Sequence, residues 1–266
     1  MKVPQQISDT IAVAAHAINW DIPRGEAVPR WLDEVVEAGY DGVAMFGMQV
    51  EDFVDDPDVL AGMLTARGLR LAAVTGFVSD SSEWTARLMD FMTSLGATHL
   101  ACTDFDPTLT SERAVQILDE RAMLGDQLGI NVYYHNHTGG VGGTLTELEN
   151  LLAALDPAHR HLMLDVGHAT KDFFELPRRE RAAAFLERHW GNVEYLELKD
   201  WNETTGLNTP LGEGYTDFDR IAALIARGGY RGWIVVEQNG NRGSSLGRTA
   251  KECAVISRTL LRGYGI

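Results

Sequence analysis

Gly232-Trp-Ile-Val-Val-Glu237-Gln238 is an apolar run that opens on glycine and closes on a carboxylate. Such a short run, bounded by turn and polar residues, reads as a strand covered on both faces, the habit of parallel sheets. Seven more segments share its character: IAVAAHAI from Ile11, GVAMF from Gly42, RLAAVTGF from Arg70, THLACT from Thr98, NVYYHNH from Asn131, LMLDVGH from Leu162 and VEYLELK from Val193. They begin 28 to 39 residues apart, and helical patterns fill the intervals. Ala27–Ala38 sets Val28, Trp31, Leu32, Val35 and Val36 on one face at the helical period. Ala114–Leu128 does the same with Val115, Ile117, Leu118, Met123, Leu124 and Leu128. Glycines 39, 68, 96, 129 and 228 follow helical runs as stop signals. Thr144-Leu-Thr-Glu147 has the pattern of a capping box opening the helix of the fifth unit.

Eight βα units of about 30 residues predict an α/β fold, a (β/α)8 TIM barrel forming a single domain over residues 1–266. The competing doubly wound sheet is weakened because no GxGxxG follows the first strand.

Lys and Arg number 23 against 38 Asp and Glu, a formal charge of −15. That disfavours nucleic acid and anionic membrane surfaces, both of which need a basic face. No run reaches the roughly 18 apolar residues of a spanning helix. The start, Met1-Lys-Val-Pro-Gln-Gln6 with Asp9 beyond it, lacks the pattern of a signal peptide. Cys102 and Cys253 form no CxxC pair, so a reducing, cytoplasmic setting is expected.

In such a barrel the chemistry belongs at the C-terminal ends of the strands. The first four segments end without an obvious reactive group; the last four end in His135 and His137, Asp165 and His168, Glu197 and Lys199, and Glu237 and Asn239. Period-2 alternation puts His135 and His137 on one face and Glu197 and Lys199 on one face. With those faces inward, His135, Asp165, Glu197 and Glu237 converge on the barrel axis. This nitrogen-and-oxygen set suits a divalent ion of the Mn2+ or Mg2+ kind better than a thiolate zinc site. Purely structural readings stand beside it: Glu197 and Lys199 as a wall ion pair, Asp165 as a cap of the next loop, His135 or His137 as core histidines. Asp200 reads as a turn residue. Trp20 and Trp201 either line the mouth or pack.

Ala17-Ile-Asn-Trp20, Glu37-Ala-Gly-Tyr-Asp-Gly42, Tyr134-His-Asn-His137, Leu164-Asp-Val-Gly-His168, Leu198-Lys-Asp-Trp201, Leu211-Gly-Glu-Gly214 and Gly232–Gln238 together carry a family likeness. Over essentially its whole length the chain resembles the sugar phosphate isomerase/epimerase superfamily with the xylose-isomerase-like barrel, and within it the inosose dehydratases. The resemblance implies a divalent metal, Mn2+ or Mg2+ first and Co2+ or Zn2+ next, held from strands 5 to 8. Asp165 matches the strand 6 ligand, Glu237 the strand 8 ligand and His168 a substrate-binding histidine. Two positions depart from the family pattern. Glu197 stands where strand 7 usually offers histidine, and the strand 5 glutamate has no counterpart, the nearest position being Tyr133. His135 or His137 is expected to replace the missing ligand.

The activity implied is a metal-dependent lyase that removes water from a cyclic polyhydroxy ketone, of the 2-keto-myo-inositol type, through an enediolate. His137 is the expected base, His168 orients a substrate hydroxyl, and Lys199 supplies charge or a proton. Trp20, Trp201 and Asn239 are the expected substrate contacts. The alternatives are a sugar or cyclitol isomerase or epimerase with the same enediolate chemistry, and a metal-free carbohydrate-binding or accessory barrel. The expected partner is a small keto-sugar or cyclitol, with neither nucleic acid nor membrane; a homo-oligomer is compatible with the sequence.

Overall fold

A computed structural model describes residues 11–239 and 247–266. The leader reading on residues 1–9 lies outside the described residues. Eight strands run β1 Ile11–His16, β2 Gly42–Phe46, β3 Arg70–Phe77, β4 His99–Thr103, β5 Asn131–His135, β6 Leu162–Asp165, β7 Val193–Leu198 and β8 Gly232–Val236. All pair in parallel, and β8 pairs back on β1, so the sheet closes into a barrel in sequence order. Seven strands start at the residue expected from sequence, and β4 starts one residue later.

The connecting helices are α1 Ala27–Ala38, α2 Gly47–Val50, α3 Pro57–Thr65, α4 Ser82–Ser94, α5 Ser111–Leu128, α6 Leu145–Ala154, α7 Val166–Asp172, α8 Arg181–Arg188, α9 Phe218–Gly228 and α10 Ala250–Gly263. A short 3-10 turn, Ala17–Trp20, follows β1. Their starts follow ordinary capping chemistry. Thr144 closes the capping box with Glu147, satisfying helix amides that would otherwise lack a partner. Val28, Trp31, Leu32 and Val35 of α1 are buried against the barrel, as their spacing dictates. Among the described residues no helix is long and apolar enough to cross a membrane.

Two cores result. The larger lies between strands and helices; the smaller fills the barrel lumen with Ala14, Ala44, Ala72, Ala73 and Ala101 on one half and Tyr133, Met163 and Tyr195 on the other. Small side chains from β1–β4 thus make room for large ones from β5–β7. The lumen set fixes which residues above it also point inward, because strand side chains alternate.

Candidate active site

Counting two residues onward from the lumen layer reaches His16 on β1, Phe46 on β2, Thr75 on β3, His135 on β5, Asp165 on β6, Glu197 on β7 and Glu237 just past β8. Two more reach Phe77, His137, Lys199 and Asn239. The site is therefore the upper layer of the barrel interior, at the C-terminal ends of the strands. Asp165 and Glu197 stand in register on neighbouring strands.

His135, Asp165 and Glu197 form the one group among the described residues whose ligand atoms all lie within 4.8 Å of one another. His135 Nε2 is 3.5 Å from Asp165 Oδ2 and 3.6 Å from Glu197 Oε1. All three side chains are buried, yet both nitrogens of His135, Oδ2 of Asp165 and both oxygens of Glu197 lack hydrogen-bond partners in the protein. Buried polar atoms are rarely left so. Asp165 is anchored by its other oxygen: Oδ1 accepts the amides of Gly167 at 2.7 Å and His168 at 2.9 Å, capping α7. The side chain therefore serves both readings open from sequence, capping the loop with one oxygen and facing the cluster with the other. Asn136 fixes the same strand end, exchanging hydrogen bonds with the Asp165 amide at 2.9 Å and carbonyl at 3.0 Å.

Lys199 pairs with Glu237 rather than with Glu197, and its ammonium also stands 3.6 Å from Asp165 Oδ2. It is 1% exposed. Gly167 makes room for it: a Cβ there would lie 2.7 Å from Lys199 Cβ and Cγ. His16 Nδ1 lies 3.6 Å from Glu237 Oε2. Glu237 is thus engaged by a cation of the protein, outside the compact three-residue group.

Above this layer, His137 and His168 lie with ring centroids 3.9 Å apart, their planes tilted by 46°. His137 Nδ1 lies 3.0 Å from the Thr138 carbonyl oxygen, and His168 Nδ1 accepts the Thr138 amide at 3.2 Å. The Thr138 hydroxyl contacts His168 Nδ1, Asp172 and Lys171. Phe105 and His137 meet at right angles with ring centroids 4.4 Å apart.

Of the remaining expected residues, Trp20 packs against the core between strands and helices. It donates its indole N–H to Glu34 at 2.8 Å. Trp201 packs on Tyr215 at 5.8 Å, with Arg178 over both rings. Asn239 is half-buried, its amide bonded to the Leu207 carbonyl at 2.9 Å. Asp200 organises a loop, accepting the amides of Trp201, Gly212, Gly214 and Thr216. Sequence reasoning missed His16, Phe46, Phe77, Phe105 and Thr138. The first four were legible in principle, because the alternation used for β5–β8 applies equally to β1–β4.

The electrostatics are unbalanced. Burial, with Glu237 and Asp165 nearby, pushes the Glu197 carboxyl well above the usual range. Burial would raise Asp165 as well, but His168, Lys199 and His135 outweigh it and hold it well below. Burial opposes the Lys199 charge, yet Glu237, Asp165 and Glu197 keep its pKa above the ordinary value. Burial is likewise outweighed at Glu237, which Lys199 and His16 hold down to about 2. Burial lowers His16 to about 4 and His137 to about 3, and it lowers His168 too, so these imidazoles are neutral near pH 7. Three inward carboxylates then face one ammonium. The unpartnered His135, Asp165 and Glu197 atoms, with their surplus negative charge, fit a divalent cation.

A family model described as xylose isomerase-like TIM barrel matches residues 32–258. An inosose dehydratase of Erwinia tasmaniensis is 24% identical, over 85% of this chain and 89% of its own length. The crystal structure of the probable 3-DHS dehydratase AsbF from Bacillus anthracis superposes with a TM-score of 0.73 at 14% identity, over 94% of this chain and 98% of that one. The crystal structure of the IOLI protein with a bound zinc atom gives 0.71 at 15%, over 95% and 97%. At these identities the two structures speak for the fold.

Proposed function

From the premise that the chain belongs to the xylose isomerase-like TIM-barrel family, we propose that it is a metal-dependent lyase removing water from a cyclic polyhydroxy ketone, such as 2-keto-myo-inositol. The observation that carries this reading is the buried, unpartnered His135–Asp165–Glu197 group beside the adjoining imidazoles of His137 and His168. The relatives named inosose dehydratase support the substrate class. His135, Asp165 and Glu197 hold the ion, and Glu237 remains with Lys199. The oxygen-rich set favours Mn2+ or Mg2+, with Co2+ and Zn2+ as further candidates. When bound, the ion supplies Lewis acidity, stabilising negative charge on a substrate oxygen.

The chain's own groups do the rest. His137 is neutral near pH 7 and takes the proton from the carbon next to the ketone. Its electron pair moves into the developing enediolate, and the hydroxyl on the next carbon leaves. The proton held by His137 goes out with that hydroxide as water, so atoms and charge balance. His168 holds a substrate hydroxyl. Lys199 supplies fixed positive charge; its raised pKa and its pairing with Glu237 make it a poor proton donor. Trp201 and Asn239 frame the mouth. Acid–base help of this kind contributes about 10²–10⁴ in rate.

The test is incubation of the metal-loaded protein with 2-keto-myo-inositol in D2O, followed by mass spectrometry. Loss of one water supports the lyase. Deuterium uptake without water loss assigns the isomerase or epimerase alternative. Neither event, in a protein that also binds no metal, leaves a carbohydrate-binding or accessory barrel.

A further inference from the structure

Thr138 touches both imidazoles above the cluster through its own backbone, and the two contacts have opposite sense. A peptide carbonyl can only accept a hydrogen bond, and a peptide N–H can only donate one. The Thr138 carbonyl oxygen is 3.0 Å from His137 Nδ1, so that nitrogen carries the hydrogen and His137 Nε2 keeps its lone pair. The Thr138 amide donates to His168 Nδ1 at 3.2 Å, so that nitrogen is the bare one and the hydrogen of the neutral ring sits on Nε2. Nε2 of His168 is buried, has no hydrogen-bond partner in the protein, and faces Asp165 Oδ2 at 3.6 Å. The two ring centroids lie 3.9 Å apart.

We propose that Thr138 is a positioning residue that sets these two histidines in complementary tautomers, leaving His137 Nε2 as a proton acceptor and His168 Nε2–H as a hydrogen donor. The proposal rests on the reading of these histidines as the pair that handles substrate. It gives that reading a physical cause, since two rings in the same tautomer would present two donors or two acceptors. A ring nitrogen's partner on the far side is what usually fixes the tautomer. Here one residue does so for both rings.

The Thr138 hydroxyl does not decide the matter. It receives a hydrogen bond from Lys171 at 2.8 Å and donates to Asp172. The same hydrogen can turn to His168 Nδ1 at 2.9 Å, where it agrees with the amide; on Asp172 it leaves the amide as the donor to that nitrogen. The backbone amide does decide it. A hydrogen on His168 Nδ1 would point at the Thr138 N–H, and the contact would turn repulsive.

The experiment is 15N NMR of the imidazole rings in the full chain, labelled at histidine and supplied with a diamagnetic divalent ion. Signals are assigned with His137→Gln and His168→Gln. The expected pattern is protonated Nδ1 in His137 and protonated Nε2 in His168. Thr138→Val keeps both peptide groups and should leave the pattern unchanged. The same tautomer in both rings overturns the proposal, and so does a switch of either ring in Thr138→Val. This readout needs no substrate, so the expected pattern in a protein inert toward keto-cyclitols would sink the functional reading and leave Thr138's role standing. In an active protein, His168→Gln, whose amide can donate from the Nε2 position, should retain more activity than His168→Asn. Equal losses in the two variants would count against the donor assignment.

Discussion

His135 Nε2 and Glu197 Oε1 lie 3.6 Å apart, both buried and neither hydrogen-bonded within the protein. Glu197 also stands in register beside Asp165 on the neighbouring strand. Two carboxyl groups side by side in a dry layer repel, and in the chain alone the conflict falls on Glu197, whose carboxyl is driven toward the neutral form. A cation between the three side chains removes that conflict. Stability alone would place apolar residues here, as in the layer below.

The first prediction concerns the ion. Purified protein supplied with Mn2+ should hold close to one equivalent, measured by elemental mass spectrometry after desalting. Asp165→Ala and Glu197→Ala should each lose it. Even an outer partner of a metal ligand is worth about 10–100-fold in affinity, so removing a direct ligand should cost at least that much. Glu237→Ala separates two arrangements. If Glu237 only balances Lys199, this variant should lose stability more than metal. Full retention of metal in both Asp165→Ala and Glu197→Ala would rule the cluster out as the site.

Lys199 gives the second. It is the only ammonium in the buried layer described, and Lys199→Met should strand the carboxylates of Glu237 and Asp165. Breaking a buried pair by removing one partner costs about 3–5 kcal/mol. Thermal unfolding in the presence of a chelator should show that loss. Adding Mn2+ should raise the midpoint by more in the variant than in the parent, because the ion then replaces the missing charge as well as filling its own site. An unchanged midpoint in chelator would mean that Lys199 contributes no net stability. Gly167→Ala should resemble Lys199→Met, since a new Cβ would meet Lys199 Cβ and Cγ at 2.7 Å and displace the side chain.

The barrel was legible because its repeat is written in short apolar runs whose ends agree with the helix caps. The inward placement of the polar residues was legible for a related reason: period-2 alternation along the last four strands puts them on the lumen face. Two things were less visible. His16, Phe46, Phe77 and Phe105 end β1 to β4, or follow them closely, and the same alternation reaches them. They were passed over because phenylalanine and a lone histidine look like core. The pairing of Lys199 was different in kind. Glu197 and Lys199 share a strand face, but Lys199 reaches across to Glu237 on the next strand. Period-2 counting gives the face and not the partner. Thr138 carried no signal at all, because its contribution comes from peptide groups common to every residue.

The third prediction is a pH dependence outside the site. His99, at the start of β4, stacks on Tyr133 with ring centroids 5.5 Å apart and meets Tyr195 at 4.9 Å. Burial lowers its pKa to about 4, against the partial opposition of Glu194. The unfolded chain takes up this proton near pH 6.5 and the folded chain only near 4, so stability is full above 6.5 and falls as pH drops through that window. Between pH 7 and 5 the loss from this one group is about 2 kcal/mol. Denaturant unfolding of the parent and of His99→Gln at both pH values would measure it. Equal pH slopes in the two proteins would show that His99 does not carry the effect.

The last prediction concerns the aromatic side of the mouth. Phe105 is 52% exposed, an unusual place for a large apolar ring, and it meets the His137 ring at right angles with centroids 4.4 Å apart while it also packs on Phe77 with centroids 5.5 Å apart. A side chain this exposed contributes little to folding, so Phe105→Ala should move stability by no more than about 0.5 kcal/mol, the usual range for surface changes. Its effect on turnover should be larger in proportion. An aromatic pair is worth about 0.5–1.5 kcal/mol beyond area burial, which is up to about tenfold in rate if that contact holds the His137 ring in its working position. Because the ring aims the base instead of gripping the substrate, the loss should fall on kcat more than on KM. Phe105→Leu fills part of the space without the aromatic ring and should restore only part of the rate. A loss confined to KM would instead make Phe105 a binding surface for the apolar C–H face of the ring, opposite the carboxylates of β6 to β8.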